Sequence, residues 1–153
     1  MPRINLTRVL LGGIVAGIVI DVCEGLLNGV LLSNQWAEVM RSLNRAPTPS
    51  LKSIIALNVW GLAAGILTVW LYAAIRPRFG AGPRTAICAA MVVWFATFAL
   101  ALSPPVFLHI FPVGVAVTAV GLEIIEMVLA GLAGAYIYKE DSAPSSISAA
   151  AAA

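Results

Sequence analysis

The sequence predicts an all-α integral membrane bundle of four transmembrane helices, with a short interfacial helix between helices one and two. Three observations carry that prediction. The chain is 61% hydrophobic and only 10% charged, with a mean hydropathy of +0.98, whereas soluble domains carry about a quarter charged residues. Four apolar runs stand at about 9–32, 54–75, 85–102 and 113–138, each close to the roughly 20 residues that a helix needs to cross hydrocarbon. No Lys, Arg or His falls inside any of them. Helices are the expected form because backbone groups in lipid must be satisfied within their own segment. The 153 residues accommodate one four-helix domain over 1–141 and a Ser/Ala-rich tail over 142–153, with no separate soluble domain.

Arg3 and Arg8 ahead of an apolar stretch resemble the start of a signal peptide, but no A-x-A-like cleavage site follows and the apolar run resumes beyond Glu24. The segment is therefore expected to be a retained first helix. Between the first two runs, Trp36, Val39, Met40 and Leu43 recur at i, i+3, i+4, i+7 and define one apolar face of a short helix. With Arg41 and Arg45 on its other side, that helix suits anchoring in the membrane interface. The second and third runs are joined by a tight basic turn, Arg76-Pro-Arg-Phe-Gly-Ala-Gly-Pro-Arg84. Ser103-Pro104-Pro105 is expected to break or kink the third helix, leaving 106–111 as an interfacial stub.

Lys and Arg in short loops set orientation. Arg3, Arg8, Arg76, Arg78, Arg84 and Lys139 fall on one side, against Arg41, Arg45 and Lys52 on the other, so both termini are expected to be cytoplasmic. Small and polar residues share helix faces at spacings of three and four: Gly13, Gly17, Asp21, Glu24 and Asn28 on helix one, Asn58, Gly61, Gly65, Thr68 and Tyr72 on helix two, and Ala119, Glu123, Glu126, Ala130 and Gly134 on helix four. Gly13 and Gly17, Gly25 and Gly29, and Gly61 and Gly65 form GxxxG spacings that suit close helix packing. Helix three shows no such line and is expected to face lipid or a partner.

The candidate site lies on these faces. At about 1.5 Å rise per residue, Asp21 and Glu24 stand roughly 18 and 22 Å from the cytoplasmic start of helix one, and Glu126 and Glu123 stand at matching depths on helix four. Four carboxyls thus share one layer, with Asn28 and Asn58 above it at about 27 to 29 Å. An acid at the bilayer centre costs about 2.5 to 3.5 kcal/mol. Three arrangements resolve that cost: protonated carboxyls hydrogen-bonded to one another as interhelical glue, a cation among them, or water entering past the asparagines.

No metal site and no catalytic constellation is legible. Cys23 and Cys88 form no C-x-x-C motif and lie at different depths. Di-iron chemistry in a bundle wants Glu-x-x-His on two helices, and His109, the only histidine, stands in the outer loop, where a haem or pigment ligand is a distant alternative to a plain side chain. A net charge of +2 is too small for a nucleic-acid footprint.

The opening Ile4-Asn-Leu-Thr-Arg-Val9, the turn from Leu71 to Thr85 and the ending Leu132-Ala-Gly-Ala-Tyr-Ile-Tyr-Lys-Glu140 resemble a group of uncharacterised small bacterial four-span inner-membrane proteins. That resemblance implies a bacterial origin and a four-helix topology, and brings no activity or cofactor. The expected function is a non-catalytic multi-pass protein, an accessory or structural subunit of a larger membrane assembly, with the lipid bilayer and other membrane subunits or a second copy as partners. Cation or proton handling by Asp21, Glu24, Glu123, Glu126, Asn28 and Asn58 is the alternative.

Overall fold

The computed structural model of the chain describes residues 4–139; the tail at 142–153 lies outside them. Four helices are long and apolar enough to cross a membrane: α1 (Leu6–Leu31), α3 (Leu51–Phe79), α4 (Pro83–Phe107) and α5 (Val113–Ile137). A short helix, α2 (Ser33–Ser42), follows α1. This is the all-α bundle expected, and its apolar surface is compatible with a multi-pass membrane protein. The four long helices alternate in direction, so the start of α1, the α3–α4 turn and the end of α5 share one end, here called proximal. α2 and the α4–α5 turn lie at the distal end.

Local chemistry sets the helix starts. Asn5 caps α1 by accepting the Arg8 N–H at 2.9 Å, and Ser50 caps α3 by accepting the Ser53 N–H at 3.2 Å, each satisfying a donor that the first turn leaves open. α4 begins on Pro83, which suits a first-turn position because its missing N–H is not needed there. Two helix ends close on left-handed residues. Asn44 has φ 53° and His109 has φ 56°, and the following N–H groups reach back five residues, Arg45 to the Met40 carbonyl and Ile110 to the Pro105 carbonyl, both at 2.8 Å. Asparagine and histidine are among the side chains that tolerate this conformation.

The proximal half is tightly packed by glycine. A Cβ on Gly65 would fall 2.5 Å from the Gly13 carbonyl oxygen and 2.6 Å from the Gly17 Cα, so α1 and α3 touch backbone to backbone. Gly12 and Gly134 meet in the same way where α1 crosses α5, a Cβ on Gly12 falling 2.6 Å from the Gly134 oxygen. Without a hydrophobic effect in lipid, such close approach is the main source of helix association. Gly25 and Gly29 do not take part, with nothing within 4 Å of a Cβ at either. Ile20, Met127, Val69 and Thr68 fill the centre.

Two expectations are corrected. The third span does not break at Ser103-Pro104-Pro105 but runs on to Phe107. Pro104 has no N–H for the Leu100 carbonyl, and Ser103 Oγ donates to that carbonyl instead at 2.9 Å, while the prolines sit in the last turn, where little helix remains to be disrupted. Nor is this helix an outlier. Ala86, Ala89, Ala90 and Val93 make a small-residue face buried in the bundle, which the neighbouring aromatics obscure in the sequence.

The distal half is built differently. Every residue of α3 from 51 to 60 is exposed, and Gly61 is its first buried residue. Two π-helical turns, Leu27–Leu31 in α1 and Phe95–Ala99 in α4, each fit one residue more than an α-turn, a feature that recurs at functional positions. α2 folds back over the ends of α1 and α5, its Trp36 packing on Leu27, Leu32 and Ala119 beside Leu122.

Candidate functional site

Glu123 and Glu126 lie on the inward face of α5, one turn apart, because their spacing of three puts them on the stripe that carries Ala119 and Ala130. They are 5% and 3% exposed. Both carboxyl oxygens of Glu126 and Oε2 of Glu123 are buried without a hydrogen-bond partner. This matters because buried polar groups are nearly always paired. No side-chain or backbone donor reaches these three oxygens.

The α1 acids stand on the other side of the layer, half-buried. Asp21 lies against α3 at Gly61, where any Cβ would collide with its Oδ1. It sits at the point where α3 leaves the bundle. Glu24 Oε2 accepts a hydrogen bond from Asn28 Nδ2, one turn further along α1, and Asn28 Oδ1 in turn accepts the Trp36 indole N–H at 2.7 Å. Glu126 is within electrostatic reach of Glu24, Glu123 and Asp21, and Glu123 of Glu24. The four carboxyls thus feel one another across the α1–α5 seam, and no Lys or Arg falls in the apolar runs 9–32 and 113–138 that carry them.

The layer is not a ready-made metal cage. Among the described residues, no three His, Cys, Asp or Glu side chains are grouped so as to hold one metal ion. What it can do chemically is exchange protons: each acid can hold one, and a buried carboxyl without a countercharge tolerates the neutral form far better than the charged one.

The other expected site residue falls elsewhere. Asn58 is exposed and donates its Nδ2 to the Ile54 carbonyl of its own helix at 2.8 Å. It shares the heptad-like stripe of Gly61 and Gly65 but stands on the part of α3 that has swung away, so it does not lid the acids. His109 is exposed and serves as the left-handed end of α4. Cys23 and Cys88 are both free. A cavity of about 370 Å³ between α4 and α5, walled by Trp94, Leu102, Val106, Val117, Val120 and Ile124, contains none of the acids.

Two members of the site were not legible in the sequence. Trp36 had been readable only as an anchor on the apolar face of α2, and no spacing rule links it to Asn28 across a chain reversal. Trp94 donates its indole N–H to the Val120 carbonyl at 3.0 Å, fastening α4 to α5 one turn from Glu123. By contrast, the Glu24–Asn28 pair could be found from its i, i+4 spacing. No family model, curated protein or solved structure matches the chain.

Proposed function

We propose that the chain is a non-catalytic multi-pass membrane protein that takes up and passes protons through the layer formed by Glu126, Glu123, Glu24 and Asp21. The observation that supports this reading is the pair of buried α5 carboxyls with unpartnered oxygens. An acid kept in an apolar bundle at a cost of a few kcal/mol, with no donor on its carboxyl oxygens, points to use of its ionisable proton. Intramembrane carboxyls in pumps and transporters commonly serve this way. Proton transfer also needs no fixed coordination shell, in keeping with the absence of a metal-type grouping among the described residues.

The proximal end carries Arg8, Arg76, Arg78, Arg84 and Lys139, and the distal end Arg41, Arg45 and Lys52. On the positive-inside rule the proximal end is cytoplasmic, in a bacterial inner membrane. Reporter fusions at the C-terminus and in the α2–α3 loop test that orientation.

The central test is flux. Purified protein in proteoliposomes under an imposed pH gradient and a potassium-clamped potential should dissipate the gradient. Glu126→Gln, which keeps shape and polarity but cannot exchange a proton, should remove that dissipation. Equal flux in the parent and in Glu126→Gln refutes the proposal.

A second reading has its own support. The exposed half of α3 at 51–60 bears Leu51, Ile54, Ile55, Leu57, Val59 and Trp60, of which Trp60 meets Phe98 of α4 edge-on at 5.1 Å. This suits an accessory subunit whose α3 docks on another membrane protein. A stable partner recovered in mild detergent, and lost on Leu57→Lys, supports that reading; a chain that behaves as a lone monomer counts against it.

A further inference from the structure

We infer that α2 is a latch that closes the distal route to the buried carboxyls, released when Trp36 leaves Asn28. The inference rests on the proton-handling reading and adds to it the element that controls access. Three sets of contacts argue for it.

The first is the hydrogen-bond chain. Trp36 Nε1 donates to Asn28 Oδ1, and Asn28 Nδ2 donates to Glu24 Oε2. Each amide atom of Asn28 is thereby committed, one to α2 and one to the acid. Glu24 is held toward the distal end for as long as Asn28 is held by Trp36. Neither an amide nor an indole relays a proton readily, so the chain positions Glu24 and does not conduct.

The second is the apolar plug. Leu27, Leu32 and Ala119, with Trp36 and Leu122 packed on them, occupy the space one turn distal of Glu123. Water approaching Glu123 from the distal side meets this cluster first. Trp36 belongs both to the plug and to the hydrogen-bond chain, so one side chain links the seating of α2 to the position of Glu24.

The third is how lightly α2 is fastened. Beyond the plug, Trp36 packs edge-on against Phe111 of the α4–α5 turn at 5.4 Å, and Val39 is the only buried residue within the helix. The hinge beside it is the π-helical turn Leu27–Leu31, in which the Leu32 N–H reaches back to the Leu27 carbonyl at 2.8 Å. Returning that turn to α-helical pairing shifts the residues beyond it by one position and carries α2 off its seat.

The test reads water access, not flux, so it is independent of the fate of the proton reading. A thiol reporter, Ala119→Cys in a chain with Cys23→Ala and Cys88→Ala, is placed in lipid nanodiscs and treated with a membrane-impermeant methanethiosulfonate reagent. Adding Trp36→Phe, which keeps an apolar ring but loses the N–H, should raise the labelling rate about fivefold, the change that one such hydrogen bond makes in an opening equilibrium. Phe111→Leu, which leaves the indole bond in place, should raise it similarly through loss of the ring pair. Should Trp36→Phe fail to fold, Phe111→Leu decides alone. Labelling at the parent rate in the folded variants overturns the latch. Faster labelling together with undiminished flux in Glu126→Gln keeps the latch and removes the proton reading.

Discussion

Replacing Glu126 with methionine should make this protein more stable while silencing it. Glu126 is 3% exposed and neither of its carboxyl oxygens has a hydrogen-bond partner. Leaving a buried polar group unsatisfied costs about 1 to 3 kcal/mol, and insertion scales place an acid at the bilayer centre at about 2.5 to 3.5 kcal/mol. Methionine is unbranched, similar in reach and adaptable in packing, so it removes that cost. Slight overpacking beside Met127 and Ala130, both fully buried, takes back up to about 1 kcal/mol. The expected net gain is about 2 kcal/mol. Glu126→Gln leaves an unpartnered amide in the same place and should sit near the parent. The assay is reversible unfolding in mixed micelles with increasing SDS, followed by helical circular dichroism. The sign decides the matter: a Glu126→Met protein less stable than the parent means that the carboxyl is hydrogen-bonded and acts as interhelical glue.

The glycine contacts predict opposite effects at two positions of similar sequence context. Gly65→Ala must push α1 and α3 apart by roughly 1 Å, because its Cβ would sit 2.5 Å from a carbonyl oxygen, and should cost about 1 to 3 kcal/mol; Gly25→Ala, which meets nothing within 4 Å, should gain up to about 1 kcal/mol in the same SDS titration. Ser103→Ala uncovers the Leu100 carbonyl that Pro104 leaves without a donor and should cost about 1 kcal/mol. His109→Gly should leave stability within a few tenths of a kcal/mol of the parent, since glycine suits the left-handed position, whereas His109→Val should cost about 1 to 2 kcal/mol. A visible absorbance band in the purified parent that disappears in His109→Gly would show instead that this side chain is a ligand.

Much of the architecture could be read from residue order because lipid imposes strong rules on sequence. The four apolar runs locate the four spans, and the spacing of Asp21, Glu24, Glu123 and Glu126 places them on facing stripes of α1 and α5. Two kinds of information were lost. Alanine is ambiguous: Ala86, Ala89 and Ala90 line a packing face of α4, but alanine is equally at home against lipid, and the bulky Trp94 and Phe95 next to it drew the reading outward. Asn58 shows the other loss. Its spacing to Gly61 and Gly65 is right for the seam, but a stripe says which way a side chain points from its helix, not whether a neighbour is there. α3 is buried in the bundle only from Gly61 onward, three residues past Asn58, and where that burial begins is a property of the whole packing.

The point where that burial begins ties the fold to the proposed chemistry. Glycine pairs clamp α1 to α3 and α5 throughout the proximal half, and the last of them on α3, Gly61, is also the residue on which Asp21 rests. A bundle packed this closely along its whole length would have no room for four carboxyls, and one loose along its whole length would leak. Confining close backbone contact to the proximal side seals one half. Its last contact on α3, at Gly61, falls at the level of Asp21. α2, fastened through Trp36 to Asn28 and Phe111, then covers on the α1–α5 side what the loss of α3 leaves open. Glu123 and Glu126 are thereby kept from distal water by Trp36 of a ten-residue helix seated on Leu27, Leu32, Ala119 and Leu122. A seal of that kind can be opened without unpacking the membrane helices, which is what a protein exchanging protons with one side at a time requires.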